Sequence, residues 1–423
     1  MRPELQQHFG DISLLAERYD TPLVLYSEEV LVQNVKSLLG ALPKNCELAY
    51  SIKANPNPGI IRILAGHGLL AEVASHGELM RALMSGIPGS RLLLGGPAKS
   101  VDAIAAALNS RASAILIESA TDLERVIRVI GQVNSSINVL MRINPQRLGT
   151  LPTLKMTGVP SQFGVDEARL LDLIAACKEG SACYGGLFLY AGSQHLQATE
   201  IVANTKYLAD LALRLSEDGL APARILDFGG GFGVPEDSSQ SPLNLQTLKA
   251  GLAAVFCDSI PQLKDRGLER TIFESGRYLV GTAGILVARV LDVKWSHGRR
   301  FAILDSGINH LGIRQLLYRT FEPEIEVLGR RSEESNEETV LVGPTCTPID
   351  IVANKCKAAN ITTGDLIIMR DFGAYTISYS ATQFCGHPWP AEVLVKQDGR
   401  HILLRRRGLP EEACGLGYTN NEK

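Results

Sequence analysis

At 423 residues the chain exceeds one ordinary hydrophobic core and predicts two domains, one of them large enough for a barrel of about 250 residues. Its 45% hydrophobic and 21% charged content, with 40 glycines, fits a soluble α/β enzyme and excludes a disordered or fibrous chain. Lys+Arg of 42 against Asp+Glu of 45 leaves a net charge of -3, which points to neither a nucleic acid nor a membrane as partner.

The opening Met1-Arg2-Pro3-Glu4-Leu5-Gln6-Gln7-His8 carries early charge and no apolar run, so neither a signal peptide nor a membrane span is expected. The eight cysteines are scattered without a Cys-x-x-Cys pair and read as reduced thiols of a cytoplasmic protein with no metal site. Thr21–Ser27 is a strand-like run, and Glu28 to Leu42 has helical spacing with Ser27 as its cap. The next strand, beginning at Glu47, stops at Lys53 and is followed by Asn-Pro-Asn-Pro, a turn that neither extends a strand nor starts a helix early. A lysine at a strand's carboxyl end with apolar residues behind it suits Schiff-base chemistry, because burial disfavours the ammonium. The alternative is a rim lysine whose stem covers apolar surface.

After Lys53 the pattern becomes rhythmic. Leu69–Ala74, Arg91–Gly95, Ser113–Ile117, Ile137–Ile143, Gly185–Ala191, Arg224–Phe228 and Thr271–Glu274 are strand-like, with helical stretches or loops between them. With the lysine strand they make eight, which predicts a (β/α)8 barrel over residues 28–277, with a doubly wound sheet as the alternative. From about residue 278 short β-type runs take over: Gly284–Val290, Phe301–Leu304, Thr339–Val342, Leu366–Met369, Ala391–Val395 and His401–Arg405. They predict a β-domain over 278–423, with residues 1–27 packing onto it. The polar run Arg331 to Glu338 reads as a solvated hinge or loop.

Asp227-Phe228-Gly229-Gly230-Gly231-Phe232-Gly233 follows the seventh strand, and three consecutive glycines let backbone N–H groups approach an anion closely. The eighth strand ends in Glu274-Ser275-Gly276-Arg277. Phosphate sites built by the loops after strands 7 and 8 recur in such barrels. A phosphate cradle, an amine-reactive lysine and a carboxylate on one barrel face together match the needs of pyridoxal 5'-phosphate: a lysine for its aldehyde, an anion site, and an acid beside its ring nitrogen.

Tyr50-Ser51-Ile52-Lys53-Ala54-Asn55, Glu72-Val73-Ala74-Ser75-His76-Gly77-Glu78-Leu79, the Gly229–Gly231 triplet, Glu274-Ser275-Gly276-Arg277, Gly343-Pro344-Thr345-Cys346 and Gly373-Ala374-Tyr375 stand in the order of known signatures. From about Thr21 to Arg405 the chain resembles the fold-type III pyridoxal-phosphate decarboxylases, which include the diaminopimelate, ornithine and arginine decarboxylases. The resemblance implies an alanine racemase-like barrel with a C-terminal β-domain, and a head-to-tail homodimer with shared active sites. It makes Lys53 the cofactor's lysine and Glu274 the partner of the ring nitrogen. Ser193, Gly230, Gly231, Gly276, Arg277 and Tyr375 would hold the phosphate, and Cys346 would protonate the substrate carbon after carbon dioxide leaves, in the neighbouring subunit's site. Read without the resemblance, Cys346 is a small buried apolar residue.

Two departures from the family pattern matter. Tyr190 stands where many members stack a histidine on the cofactor ring; it either stacks likewise or packs the barrel. After the cysteine, enzymes of diamino acids carry a carboxylate for the distal ammonium, whereas this chain has Thr347. Asp350 is a partial substitute or a structural hydrogen-bonding residue, and Arg314 a site for a substrate carboxylate or a surface arginine. The stretches Leu154–Gly164, Gly231–Pro235 and Phe384–Pro390 resemble decarboxylases of secondary metabolism, including those acting on glutamate held by an acyl-carrier protein and those of siderophore pathways. That resemblance implies an α-decarboxylase for an aminoacyl substrate without a distal ammonium. A diamino-acid decarboxylase of primary metabolism, an amino-acid racemase on the same fold, and a non-catalytic cofactor carrier are the alternatives. His195, His310 and His387 are expected to be packing or loop residues.

Overall fold

The computed structural model describes residues 3–146, 154–155, 157–179, 182–217, 222–236, 239–312, 324–329, 334–358, 360–409 and 412. Contacts divide the chain into two compact units: Val32–Pro235 with Ser241–Leu279, and Met1–Leu31 with Glu236–Gln240 and Val280–Lys423.

The first unit is a closed parallel barrel. Strand β1, Leu23–Ser27, lies outside it; the barrel strands are β2 (Glu47–Ser51), β3 (Leu70–Val73), β4 (Leu92–Leu94), β5 (Ala114–Ile117), β6 (Asn138–Asn144), β7 (Cys183–Phe188), β8 (Ile225–Asp227) and β9 (Arg270–Ser275). They pair in the order β5-β4-β3-β2-β9-β8-β7-β6, and β5 and β6 join through Ala114 and Asn138 to close the ring. Short apolar runs make these strands because both faces are covered, which parallel sheets require. Each strand sends residues into one interior cluster: Ala49, Leu70, Leu93, Ala114, Leu116, Leu140, Phe188, Ile225 and Ile272. Full burial of each large member stabilises the barrel by about 1.5–3 kcal/mol, so the interior is a packed core rather than a pore.

Serine caps fix the helix starts. Ser75, Ser100 and Ser119 accept hydrogen bonds from the amides of Glu78, Ala103 and Asp122 at the heads of helices His76–Met84, Val101–Asn109 and Ala120–Val133. Asn57 does the same for Pro58–Gly66, where the proline occupies a first-turn position needing no N–H. Each of these strands thus hands over to its helix at one barrel end, and the strand-end side chains collect there.

The second unit is built on a twisted sheet of β10 (Gly284–Ser296), β11 (Arg299–Leu304), β12 (Ile325–Val327), β13 (Glu334–Val342), β14 (Ile351–Ala358), β15 (Leu366–Met369), β16 (Ala391–Val395) and β17 (His401–Arg405), together with β1. Strand β1 pairs antiparallel with β10 and parallel with β16. Helices Pro3–Phe9 and Ile12–Tyr19 bury Leu5, Phe9, Ile12 and Leu15 against Leu23, Leu25, Ile285, Val287 and Val393. The loop expected over Arg331 to Glu338 is corrected in part: strand β13 begins at Glu334, which pairs with Ala358 of β14, although the ladder to β11 starts only at Thr339. Pairing partners override local polarity there.

Candidate active site

Strand β2 ends at Ser51, and Ile52–Ala54 forms a single 3₁₀ turn that carries Lys53. The Asn-Pro-Asn-Pro segment is locked from within: Tyr50 Oη donates to the Asn55 carbonyl at 2.8 Å, and the Asn55 side chain accepts the Asn57 amide at 3.1 Å. Buried apolar residues do lie behind Lys53, among them Ala49, Ile52 and Ala54, but its amine also has an acidic partner. Its Nζ lies 2.6 Å from Oε2 of Glu72 on β3, a carboxylate whose side chain is 5% exposed, while the lysine's is 41% exposed. The cation is therefore held by an acid and still reachable.

The glycine loop after β8 is pressed against its neighbours. A Cβ on Gly229 would lie 2.2 Å from the Leu189 carbonyl oxygen, one on Gly230 2.1 Å from that of Glu274, and one on Gly231 2.2 Å from that of Gly192. Gly231 also has φ +90, where a side chain is strained. Asp227 Oδ1 accepts the Gly229 amide at 2.9 Å, and the Gly229 carbonyl accepts the Glu274 amide at 2.6 Å, so loop and β9 form one frame. Within it two acids are buried together. Burial, with repulsion from Asp227 and Glu72, pushes the Glu274 carboxyl well above the usual range. Burial pushes Asp227 up to about 7, against the pull of the Gly229 amide. Oε1 of Glu274 and Oδ2 of Asp227 take no hydrogen bond from an N–H or hydroxyl donor among the described residues, and the two carboxyls share a side-chain hydrogen bond with each other. Buried acid oxygens met by no other donor can still accept one from a bound group.

Arg142 on β6 adds a buried cation. Its Nη1 lies 2.8 Å from Oε1 of Glu118, whose Oε2 accepts the Gly164 amide at 2.9 Å. Its guanidinium sits over the rings of Phe163, Phe188 and Tyr190 at 4.6, 5.5 and 5.9 Å from their centroids. Tyr190 itself packs against the barrel's interior cluster and pairs its hydroxyl with Ser193 at 2.8 Å. His195, expected to be a packing residue, is a wall of the glycine loop. Its amide donates to the Gly231 carbonyl at 2.8 Å, its own carbonyl accepts the Gly233 amide at 3.0 Å, and its Nδ1 lies 2.8 Å from Glu200.

The barrel unit thus brings Lys53, Tyr190, Ser193, Gly230, Gly231 and Glu274 to the ends of its strands, and Gly276 and Arg277 follow directly after β9. Four charged residues were given no role by the sequence: Glu72 and Asp227 stood only as the first residues of motifs, and Glu118 and Arg142 were not named. Their signal was present: each interrupts or ends an apolar strand run, as in Leu70-Ala71-Glu72-Val73 and Leu140-Met141-Arg142-Ile143.

Cys346, Thr347, Asp350 and Tyr375 belong to the other unit. Cys346 is exposed, against its reading as a small buried residue. Asp350 is buried, its Oδ1 accepting the Ile308 amide at 2.7 Å and its Oδ2 the Thr345 amide at 2.9 Å. The carboxylate is wedged between Gly307 and Gly343, and these contacts are those of its expected hydrogen-bonding role. Tyr375 has φ 54, an uncommon backbone for a non-glycine residue. Arg314 lies outside the described residues.

Residues 29–281 match the family described as "Pyridoxal-dependent decarboxylase, pyridoxal binding domain". The chain is 31% identical over 414 residues to the L-glutamyl-[BtrI acyl-carrier protein] decarboxylase of Niallia circulans, covering 95% of each. It is 30% identical over 404 residues to the diaminopimelate decarboxylase of Methanothermobacter thermautotrophicus, covering 94% of this chain and 92% of that one. The structure of diaminopimelate decarboxylase from Helicobacter pylori complexed with L-lysine superposes with a TM-score of 0.84 at 27% identity, over 95% of this chain and 98% of that one. The residues present fit the pyridoxal cofactor these relatives imply. Lys53 offers a reachable amine, the glycine loop a backbone with no side chain over it, packed too closely on its neighbours to take a Cβ, and Glu274 a buried carboxyl that can meet a ring N–H.

Proposed function

The chain belongs to the pyridoxal-dependent decarboxylases, and within that family we propose that it removes the α-carboxylate of an aminoacyl substrate whose distal end carries no ammonium, as in glutamate tethered to an acyl-carrier protein. It does so as a cytoplasmic homodimer serving a secondary-metabolite pathway. The observation that carries the substrate reading is the Thr345–Asp350 turn. Thr347 offers no charge, and the nearby carboxylate of Asp350 is consumed by the amides of Ile308 and Thr345. With no acid free at that turn, a diamino acid's distal ammonium would go unpaired there, a difference of several kcal/mol in discrimination. The Niallia circulans relative, whose name specifies a glutamyl group on a carrier protein, supports the same direction.

When bound, pyridoxal 5'-phosphate supplies a ring that accepts the electron pair left on the α-carbon as carbon dioxide departs. This chain's residues do the rest. Lys53 holds the aldehyde, with Glu72 orienting its Nζ from 2.6 Å. Glu274 would meet the ring nitrogen with its buried carboxyl. Ser193, Gly230, Gly231, Gly276 and Arg277 would bind the phosphate, with Tyr375 joining them only as the family pattern implies, and Tyr190 would cover the ring. Cys346 would serve the neighbouring subunit's site, holding at Sγ the proton that the α-carbon takes, with Thr347 beside it towards the substrate's distal end.

Borohydride reduction of the cofactor-loaded protein tests the lysine assignment. Peptide mapping is expected to find the pyridoxyl mass on Lys53, and Lys53→Ala to abolish both the adduct and carbon dioxide release. An adduct on another lysine contradicts it. Retention of carbon dioxide with deuterium exchange at the α-carbon would instead mark a racemase.

A further inference from the structure

We propose that the Tyr190 hydroxyl is a positioning group for the cofactor's phosphate, acting through Ser193. The proposal rests on the reading of Ser193 as a phosphate ligand and adds a residue behind it. Oη of Tyr190 and Oγ of Ser193 are 2.8 Å apart, and each hydroxyl has a single proton. In such a pair one oxygen receives and its own proton must go elsewhere. The phenol is the more acidic of the two, which makes it the donor. Burial, partly offset by the bond to Ser193 and by Lys53, raises its pKa, so the phenol keeps the proton it donates. The Ser193 proton is then directed away from Tyr190, free for an anion.

Both ends of the pair are fixed. The Tyr190 ring packs against the barrel interior and lies beneath the Arg142 guanidinium, itself held by Glu118. Gly192–Ser193 pairs antiparallel with Leu154–Lys155. The next residue clamps onto the glycine loop's exit: Gln194 Nε2 donates to the Val234 carbonyl at 2.8 Å, and its Oε1 accepts the Val234 amide at 2.9 Å. Since the Gly192 carbonyl stands where a Gly231 Cβ would be, Ser193 sits beside the glycine loop, and its free proton and the loop's amides serve one anion. A hydroxyl already oriented loses less freedom on binding than one that must choose its rotamer.

The test is a double-mutant cycle on cofactor uptake by apo-protein, read by absorbance and fluorescence rather than by turnover, with wild type, Tyr190→Phe, Ser193→Ala and the double variant. Tyr190→Phe keeps the ring and is expected to weaken pyridoxal 5'-phosphate binding by about five- to tenfold while leaving binding of phosphate-free pyridoxal unchanged. In the Ser193→Ala background it is expected to change affinity by less than about twofold, because the group it acts through is gone. Wild-type affinity in Tyr190→Phe overturns the proposal, as does an equal loss for pyridoxal or full additivity with Ser193→Ala. Failure of the wild-type protein to take up the cofactor would overturn the reading of the whole site, a result distinct from any of these.

Discussion

Substituting Gly231→Ala tests whether the glycine loop is built around close approach rather than mere flexibility. The new methyl would lie 2.2 Å from the Gly192 carbonyl oxygen and 2.7 Å from Cδ2 of His195, at φ +90. The left-handed backbone alone costs about 1–2 kcal/mol for a residue with a Cβ. Forcing the loop off Gly192 adds an overpacking cost of about 1–3 kcal/mol, and the stiffer unfolded chain returns about 0.4–1 kcal/mol. The net loss is about 1–5 kcal/mol. Gly267 is the control, with φ +105 and nothing within 4 Å of its would-be Cβ, so Gly267→Ala carries only the backbone cost, about 1 kcal/mol net. Urea denaturation with a constant slope reads the difference, and titration with pyridoxal 5'-phosphate reads the cradle. Gly231→Ala is expected to unfold at lower urea than Gly267→Ala and to bind the cofactor poorly, with Gly267→Ala binding normally. Equal midpoints and equal affinities would refute the close-approach argument.

The buried acid pair makes stability depend on pH with a definite sign. Asp227 keeps its proton in the folded protein up to about 7 but loses it near 3.8 when unfolded, so the native state binds more protons between those values and apo-protein stability falls as pH rises through them. Glu274 shifts in the same direction, so Glu274→Gln is expected to gain melting temperature relative to wild type between pH 5 and pH 8; a constant difference would contradict the pairing. Arg142→Ala strands the buried Glu118 carboxylate and is expected to cost about 3–5 kcal/mol by urea denaturation, with Arg142→Lys recovering only part; a loss below about 1 kcal/mol would show that the pair is dispensable. Cys346→Ala is expected to leave cofactor uptake intact and to shift products from clean amine towards abortive transamination, and an unchanged product profile would remove the proton donor.

The barrel was legible because its strands are buried on both faces and therefore appear as short apolar runs at regular spacing. Lys53, Glu274 and the Gly229–Gly231 loop could be read for the same reason: packing alone rarely calls for a cation, an acid or a glycine cluster at the end of an apolar run. What the pattern did not carry was side-chain pairing between neighbouring barrel strands. Glu72 meets Lys53 across 19 positions and Glu118 meets Arg142 across 24, separations that no local periodicity encodes. Asp350 is the converse case. Its charge suggested a ligand, but the glycines at 307 and 343 that enclose it lie on other segments, and only folding turns it into a hydrogen-bond acceptor for Ile308 and Thr345. The polar residues from Glu334 misled in the same way, since the strand they enter is specified by its neighbours β11 and β14 rather than by its own composition.

Carbon dioxide release by the cofactor-loaded protein, measured across lysine, ornithine, arginine, diaminopimelate, free glutamate and glutamate as a phosphopantetheine thioester, tests the substrate reading most directly. Turnover of the thioester with none of the diamino acids is the expected result. Turnover of diaminopimelate or ornithine would contradict it and show that an acid other than Asp350 meets the distal ammonium.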